Sequence, residues 1–537
     1  MPHDAHIMTI SESLLPLVLF VPLGAALAVL FGAPARRTSM AAAWFTLIFS
    51  LLIGATYDKP YSYSMFQVIP ALDLSFRIGL DGLSLMMVLL TSLVTLSAVW
   101  VSPRMEQGAN GFYACVLFIS AGCIGAFVSF DLFFFYAFHE LALIPTFLLI
   151  GIWGHGDDRV AAAWKITIYL AVGSFVLLIG LVGLYVNLPV ADRTFDLTKL
   201  AALNHPLSHA TQVWIFPLVL LGFGVLISLF PFHTWAPSAY ATAPTPAAML
   251  HAGVLKKFGL YGLIRIAVPL LPDGMHHWMS VLLVLLAGNI LYVGFVTIAQ
   301  KRLDLMLGYS SVMHMGYIFL GISSLNIIGL TGAATLMFAH GLSIAVLFAV
   351  AGEVRSRTGT LRMDELGGLA RSMPFLALAF GLGLFASIGL PGFANFASEV
   401  MVFFGAFGAE THLVRKGARF FDHHQIATVV ALWGVVMSAV YMLRAYRQVF
   451  LGEARVTSDN VPAAPAAAFA DLTGGRRWAL ALLIVGLVVV GFRPGTLVEA
   501  IRPSIQYALP TKGDNHAPGE STEPTAQLPA EGSPTHG

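Results

Sequence analysis

Charge is scarce in this sequence of 537 residues. Only 11% are Asp, Glu, Lys or Arg against 57% hydrophobic, and the mean hydropathy is +0.80. That balance lies far outside the range of soluble domains and excludes water as the main solvent. Neither sign prevails: 29 Lys and Arg face 28 Asp and Glu. No global field could hold nucleic acid or an acidic substrate, so the placement of charges matters more than their sum. Cysteine is nearly absent too. Cys115 and Cys123 share one apolar run without CxxC spacing, which excludes an iron–sulfur cluster or structural zinc site built on them and leaves them as packing residues. The first residues, MPHDAHIMTISES, lack the basic start and small-residue cleavage site of a signal peptide, so the run from Leu14 reads as a retained span. The glycine-rich pieces GFG at 222–224 and GLG at 381–383 lie inside apolar runs, where close helix packing explains them better than phosphate binding.

What fills the chain is long apolar segments without strict alternation, which excludes a β-barrel. A hydrocarbon core of about 30 Å needs about 20 apolar residues per helix. On that ruler the sequence holds about fourteen spans, at 14–33, 39–56, 82–101, 111–130, 132–153, 161–186, 213–231, 248–271, 277–300, 305–323, 327–351, 374–407, 427–450 and 478–496. Lys and Arg in short loops set the orientation. Arg36, Arg37, Arg104, Arg159, Lys301, Arg302, Arg355, Arg357, Arg362, Arg371, Arg444, Arg447, Arg455, Arg476 and Arg477 fall on one side, expected to be the cytoplasm. The opposite loops carry fewer: Lys59, Arg77, Arg193, Lys199, Arg415, Lys416 and Arg419. An even number of spans then puts both termini outside.

Two spans are interrupted. PFHTWAPSAYATAPTPAA carries Pro231, Pro237, Pro244 and Pro246, and GLPGFANF carries Pro391 and Gly392; neither permits a continuous helix. Unwound backbone at membrane depth is tolerated only beside a protein-lined or wet cavity. The loop of roughly 452–477 is rich in Ala and Pro, and the tail from Pro510 is polar and aperiodic, the composition of a disordered segment.

An ionisable group at membrane depth is costly unless hydrated or paired, so each is a functional candidate. Glu140, in FHELALIP, lies nine residues from Asp131, roughly 13 Å along a helix, too deep for a short side chain to reach an interface. Lys257, in LHAGVLKKFGLYGLIR, lies eight residues before Arg265, and a desolvated lysine can exchange a proton near neutral pH. Lys256 beside it faces another direction. His314 and His340 lie in consecutive spans, where an imidazole can both give and take a proton. No His pair at i, i+4 within one span supports a metal site. Glu399 follows the Gly392 break by seven residues and mirrors Glu140 as the other end of a charged series. Lys165 is nearer a helix end, within snorkelling reach.

The strings FHELALIP, PFHTWAPSAYATAPTPAAMLHAGVLKKFGLYGLIR, KRLDLMLGYSSVMHMGYI, FAHGLSIAVLF and IGLPGFANFASEVMVFFGAF, with the earlier RIGLDGLSLMMVLLT, are similar to the antiporter-like membrane subunits of proton-pumping NADH:quinone oxidoreductase, respiratory complex I. Within them the chain most resembles the subunit M branch, counterpart of mitochondrial subunit 4. The resemblance runs from roughly residue 75 to 450. It implies an all-α polytopic fold of fourteen helices with two inverted five-helix repeats, in which helices 7 and 12 are broken. The expected divisions are 1–110 for the first three spans, 111–271 and 277–450 for the repeats, 451–500 for a cytoplasmic loop and the last span, and 501–537 for a disordered tail. The resemblance also implies a proton pathway in which Glu140 matches the fifth-helix glutamate, Lys257 the eighth-helix lysine, His314 and His340 the histidines of helices ten and eleven, and Glu399 the twelfth-helix glutamate. It places NADH, FMN, iron–sulfur clusters and quinone in partner subunits, both membrane and hydrophilic, and no cofactor in this chain. The implied setting is a bacterial inner membrane and its lipids. A multi-chain Na+/H+ antiporter subunit, a hydrogenase membrane subunit and a non-pumping structural module share enough of these motifs to remain alternatives.

One departure stands out. The family usually carries a lysine in the first half of helix 7, as partner to the helix-5 glutamate; that position here is Leu226, in GFGVLISLF. Glu140 then lacks its usual partner, leaving Lys165 or Lys256 to compensate.

Overall fold

The computed structural model describes residues 9–105, 107–203, 207–409, 422–453, 455 and 470–509. The expected loop cations Arg415, Lys416 and Arg419 and the tail from Pro510 lie outside the described residues.

The spans are helices α1 (Ile10–Leu30), α2 (Ala35–Thr56), α3 (Gly82–Val101), α4 (Ala109–Val128), α5 (Leu132–Trp153), α6 (Arg159–Asn187) and α7 (His209–Ile227), then the short α8 (Trp235–Thr242). The next, α9, runs over residues 245–270 with two π turns, His251–Leu255 and Leu263–Ala267. After it come α10 (Met279–Ala299), α11 (Leu303–Ser323), α12 (Ile327–Thr358), α13 (Pro374–Ile388), α14 (Ala394–Phe407), α15 (His423–Phe450), α16 (Gly475–Phe492) and α17 (Pro494–Ala508). Twelve of these are long and apolar enough to cross a membrane. With α9 and the α13–α14 pair they make the expected fourteen. The central helices α3, α4, α11 and α12 are almost wholly enclosed by protein, whereas α1, α2, α6 and α16 present wide apolar faces outward, as a bundle in lipid requires.

Both interruptions are built alike. Helix α7 ends at Ser228 (φ 68°, ψ 47°) and α13 at Gly389 (φ 77°, ψ 44°), each a left-handed cap. The carbonyls freed at such an end need other donors. At the first break, Asn289 of α10 accepts from Phe230 N at 2.6 Å and donates to Ser228 O at 3.1 Å. Trp235 Nε1 donates to Val225 O at 3.0 Å.

The charges segregate onto two faces, as the loop census predicted. On one, Asp304, only 2% exposed, joins Arg302 and Arg355, while Arg357 and Arg476 share Glu353. On the other, Lys199 pairs with Asp73, Arg77 with Asp196, and Arg265 with Asp81.

Two elements were not anticipated. Residues Tyr61–Ile69 and Leu74–Leu80 pair as an antiparallel hairpin, β1 and β2, whose Phe76, Ile78 and Leu80 pack on Leu15, Val18 and Leu19 of α1. The second is α17, which corrects the expected boundary of the tail: residues 501–508 are helical. Ile501 and Ile505 are fully buried, Ser504 Oγ accepts from Leu83 N at 3.4 Å, and the Ala500 carbonyl lies so close to Gly82 that no β-carbon would fit there. A mixed sequence with Arg502 and Pro503 hides this amphipathic helix from a hydropathy ruler tuned to spans.

Candidate functional site: a buried polar series between two broken helices

The structure brings four of the seven sequence-derived residues into one series. Lys257, fully buried on α9, sits just past the π turn, and its Nζ lies 2.5 Å from Ala252 O and 3.0 Å from His340 Nδ1 on α12. This contact holds one proton at a time: either the ammonium donates to a bare Nδ1, or the ring donates to a neutral amine. The His340 and His314 rings follow at 5.4 Å between centroids. His314 Nδ1 lies 2.8 Å from Ser310 O and Nε2 lies 2.9 Å from Ser387 O. Both partners are acceptors, so a neutral imidazole satisfies one of them and only the protonated ring satisfies both. Ser387 belongs to the last turn of α13, so its carbonyl is among those that the break leaves without a helical donor. Past the break, Glu399 of α14 is 5% exposed, and its Oε2 lies against Gly389. Its Oε1, the Asn395 amide one turn earlier and Tyr317 Oη have no hydrogen-bond partner among the described residues.

Glu140 stands apart from this series. It lies at the expected depth on α5, yet its side chain is 38% exposed toward the side of the bundle. It lines a cavity of about 210 Å³ with Leu143, Ile144, Phe147, Ile166 and Leu170. Ser174 Oγ donates to its Oε1, and His139 Nδ1 lies 3.7 Å from the same oxygen. His139, 2% exposed, stacks on Phe258 of α9 with centroids 4.1 Å apart. Leu226, the position of the expected lysine, is 3% exposed and belongs to the apolar core. Lys165 donates to Thr234 O at 2.9 Å, at the break between α7 and α8. The Nζ of Lys256, a residue 1% exposed, has no hydrogen-bond partner among the described residues and stands 5.5 Å from the centroid of the Tyr240 ring.

Three histidines close to the predicted residues escaped the sequence reading: His139, His233 and His251. All are 4% exposed or less. Each sits within one to six residues of a feature already singled out, Glu140, Pro231 or Lys257. The signal available was therefore proximity to a motif rather than any pattern of their own.

Residues 129–415 match the family described as NADH:quinone oxidoreductase/Mrp antiporter, TM. The chain is 38% identical over 388 residues to NAD(P)H-quinone oxidoreductase chain 4 2 of Microcystis aeruginosa, covering 72% of this chain and 68% of that one. It is 32% identical over 476 residues to NADH-quinone oxidoreductase subunit M of Rickettsia typhi, covering 88% and 91%. Among solved structures, a chain of respiratory complex I from Thermus thermophilus with bound NADH is similar with a TM-score of 0.82 and 28% identity, over 93% of this chain and all of that one. By matched length, by identity and by its two broken helices, the chain belongs to the transmembrane subunit family shared by NADH:quinone oxidoreductases and Mrp antiporters.

Proposed function

We propose that this chain is a proton-translocating membrane subunit of an NADH:quinone oxidoreductase in a bacterial inner membrane, with both termini on the periplasmic side. NADH, FMN, iron–sulfur clusters and quinone belong to partner subunits on this reading, and the chain itself does no redox chemistry. The observation that carries the proposal is the series from Lys257 through His340 and His314 to the Ser387 carbonyl and Glu399. Every member can hold or release a proton, or accept a hydrogen bond from a group that does.

Protonating one member changes the affinity of the next, because unit charges 4 Å apart interact by about 4 kcal/mol even at an effective dielectric of about 20. Water supplies the steps that direct bonds do not. The unpaired Glu399 Oε1, Asn395 amide and Tyr317 Oη would each cost about 1–3 kcal/mol if left dry.

A second reading, a non-pumping structural module, draws on Leu226 at the first break. The two separate cleanly in the assembled complex. Lys257→Ala and Glu140→Ala are expected to cut proton pumping and coupled quinone reduction while the complex still assembles. Unchanged pumping in both would rule out translocation by this chain.

A further inference from the structure

We propose that Lys256, backed by His251, is the protonatable station that answers Glu140 in the first half of the molecule, in the role left open by Leu226 on α7; this rests on the translocation reading above. Adjacent helical residues point about 100° apart. On most helices a pair of neighbouring lysines would therefore place at least one in lipid or water. Here α9 is enclosed on all sides, so Lys256 and Lys257 are 1% and 0% exposed. They serve different halves of the chain. Lys257 turns to His340 on α12, and Lys256 to the face of Tyr240 on α8. The π turn His251–Leu255, immediately before them, is the kind of local unwinding that accumulates at functional sites.

The surroundings of Lys256 suit proton exchange rather than packing. A ring face is a weak partner for a buried ammonium, and its attraction falls well below the cost of burying the charge alone. Neither Lys256 Nζ nor His251 Nε2 has a hydrogen-bond partner among the described residues. His251 Nδ1 is tied to Tyr240 Oη at 3.1 Å, which leaves Nε2 as the atom able to gain or lose a proton.

Phe258, one residue past Lys257, ties this helix to Glu140. Its ring stacks on His139 with centroids 4.1 Å apart, and His139 Nδ1 lies 3.7 Å from Glu140 Oε1. On this proposal the route from Glu140 to the central series runs through His139, His251 and Lys256. The alternatives are weaker. Lys165 is held by the Thr234 carbonyl and is partly exposed, and α7 carries no Lys or Arg at all.

The test uses the assembled complex in inverted membrane vesicles, with protons taken up per NADH oxidised as the readout and assembly checked on native gels. Lys256→Met is expected to lower the ratio about tenfold, equivalent to about 1.4 kcal/mol on one transfer barrier. Leu226→Lys combined with Lys256→Met is expected to restore it to within about twofold. Lys256→Arg keeps the charge but does not release its proton, so it is expected to assemble normally and fail as Lys256→Met does. Should Lys256→Met not assemble, the other two variants decide. Wild-type pumping in Lys256→Arg, or an assembled double variant that does not pump, overturns the proposal. Lys257→Met separates this claim from the one beneath it. Loss in Lys257→Met with none in Lys256→Met or Lys256→Arg removes only Lys256 from the path, whereas no loss in any variant removes the translocation reading itself.

Discussion

Gly389→Ala probes the link between helix break and carboxylate most sharply. Gly389 holds φ 77° and ψ 44° at the end of α13, a conformation that costs an L-residue roughly 1–2 kcal/mol. A β-carbon there would also collide with Oε2 of Glu399, forcing the carboxylate to swing away from the break and from the side of His314. Stability should fall by about 2–3 kcal/mol in all, the backbone term plus about 1 kcal/mol for an off-rotamer glutamate. Gly392→Ala is the matched control. Its φ of 95° carries the same backbone penalty, but its β-carbon would meet only the Phe492 ring at an ordinary 3.6 Å. Thermal inactivation of the detergent-solubilised complex and proton pumping in vesicles are measured for both. Both variants should inactivate at lower temperature, and only Gly389→Ala should lose coupling. Equal pumping in the two variants would refute the placement of Glu399 against the break.

Three further outcomes follow from the same geometry. Burial raises the Asp131 carboxyl from 3.8 to about 7, and the neighbouring Asp196 adds to the rise although the Phe133 and Phe134 amides oppose it. The stability tied to its proton is therefore complete below about pH 4 and is lost as pH rises through 7; Asp131→Asn should flatten the fall in melting temperature across that window, and an unaltered pH profile would contradict the assignment. Arg355→Ala leaves the buried Asp304 with only the half-exposed Arg302, at a cost of about 3 kcal/mol, to be read as a lowered inactivation temperature that Asp304→Asn in the same background partly restores. Ser228→Gly relieves the left-handed strain of a residue with a side chain and should raise the inactivation midpoint, by about 1 kcal/mol in stability, without altering pumping.

The fourteen spans were legible because lipid imposes one length and one composition on every crossing. The breaks were legible because Pro231, Pro391 and Gly392 cannot continue a helix. The hairpin 61–80 and α17 were missed for a shared reason. Each is half-buried against α1 or α3 and carries mixed polarity, which resembles a loop when judged by hydropathy alone. Among site residues, Lys257, His314, His340 and Glu399 announced themselves as charges with no interface in reach. Glu140 did too, but no one-dimensional pattern says that its side chain looks outward, because the direction depends on how α5 is rotated against α4 and α6. Lys256 was the least legible. Its sequence context is the same as that of Lys257, and only the packing around α9 separates a lysine bonded to His340 from one standing over Tyr240.

The central claim is that protons pass through the junction of Lys257, His340 and His314, and the most direct measurement is the number of protons translocated per NADH oxidised in vesicles bearing His340→Phe. Phenylalanine keeps the ring volume between Lys257 and His314 but cannot carry a proton. The account predicts a lowered ratio in a complex that assembles and still passes electrons to quinone. A wild-type ratio in that variant would contradict it.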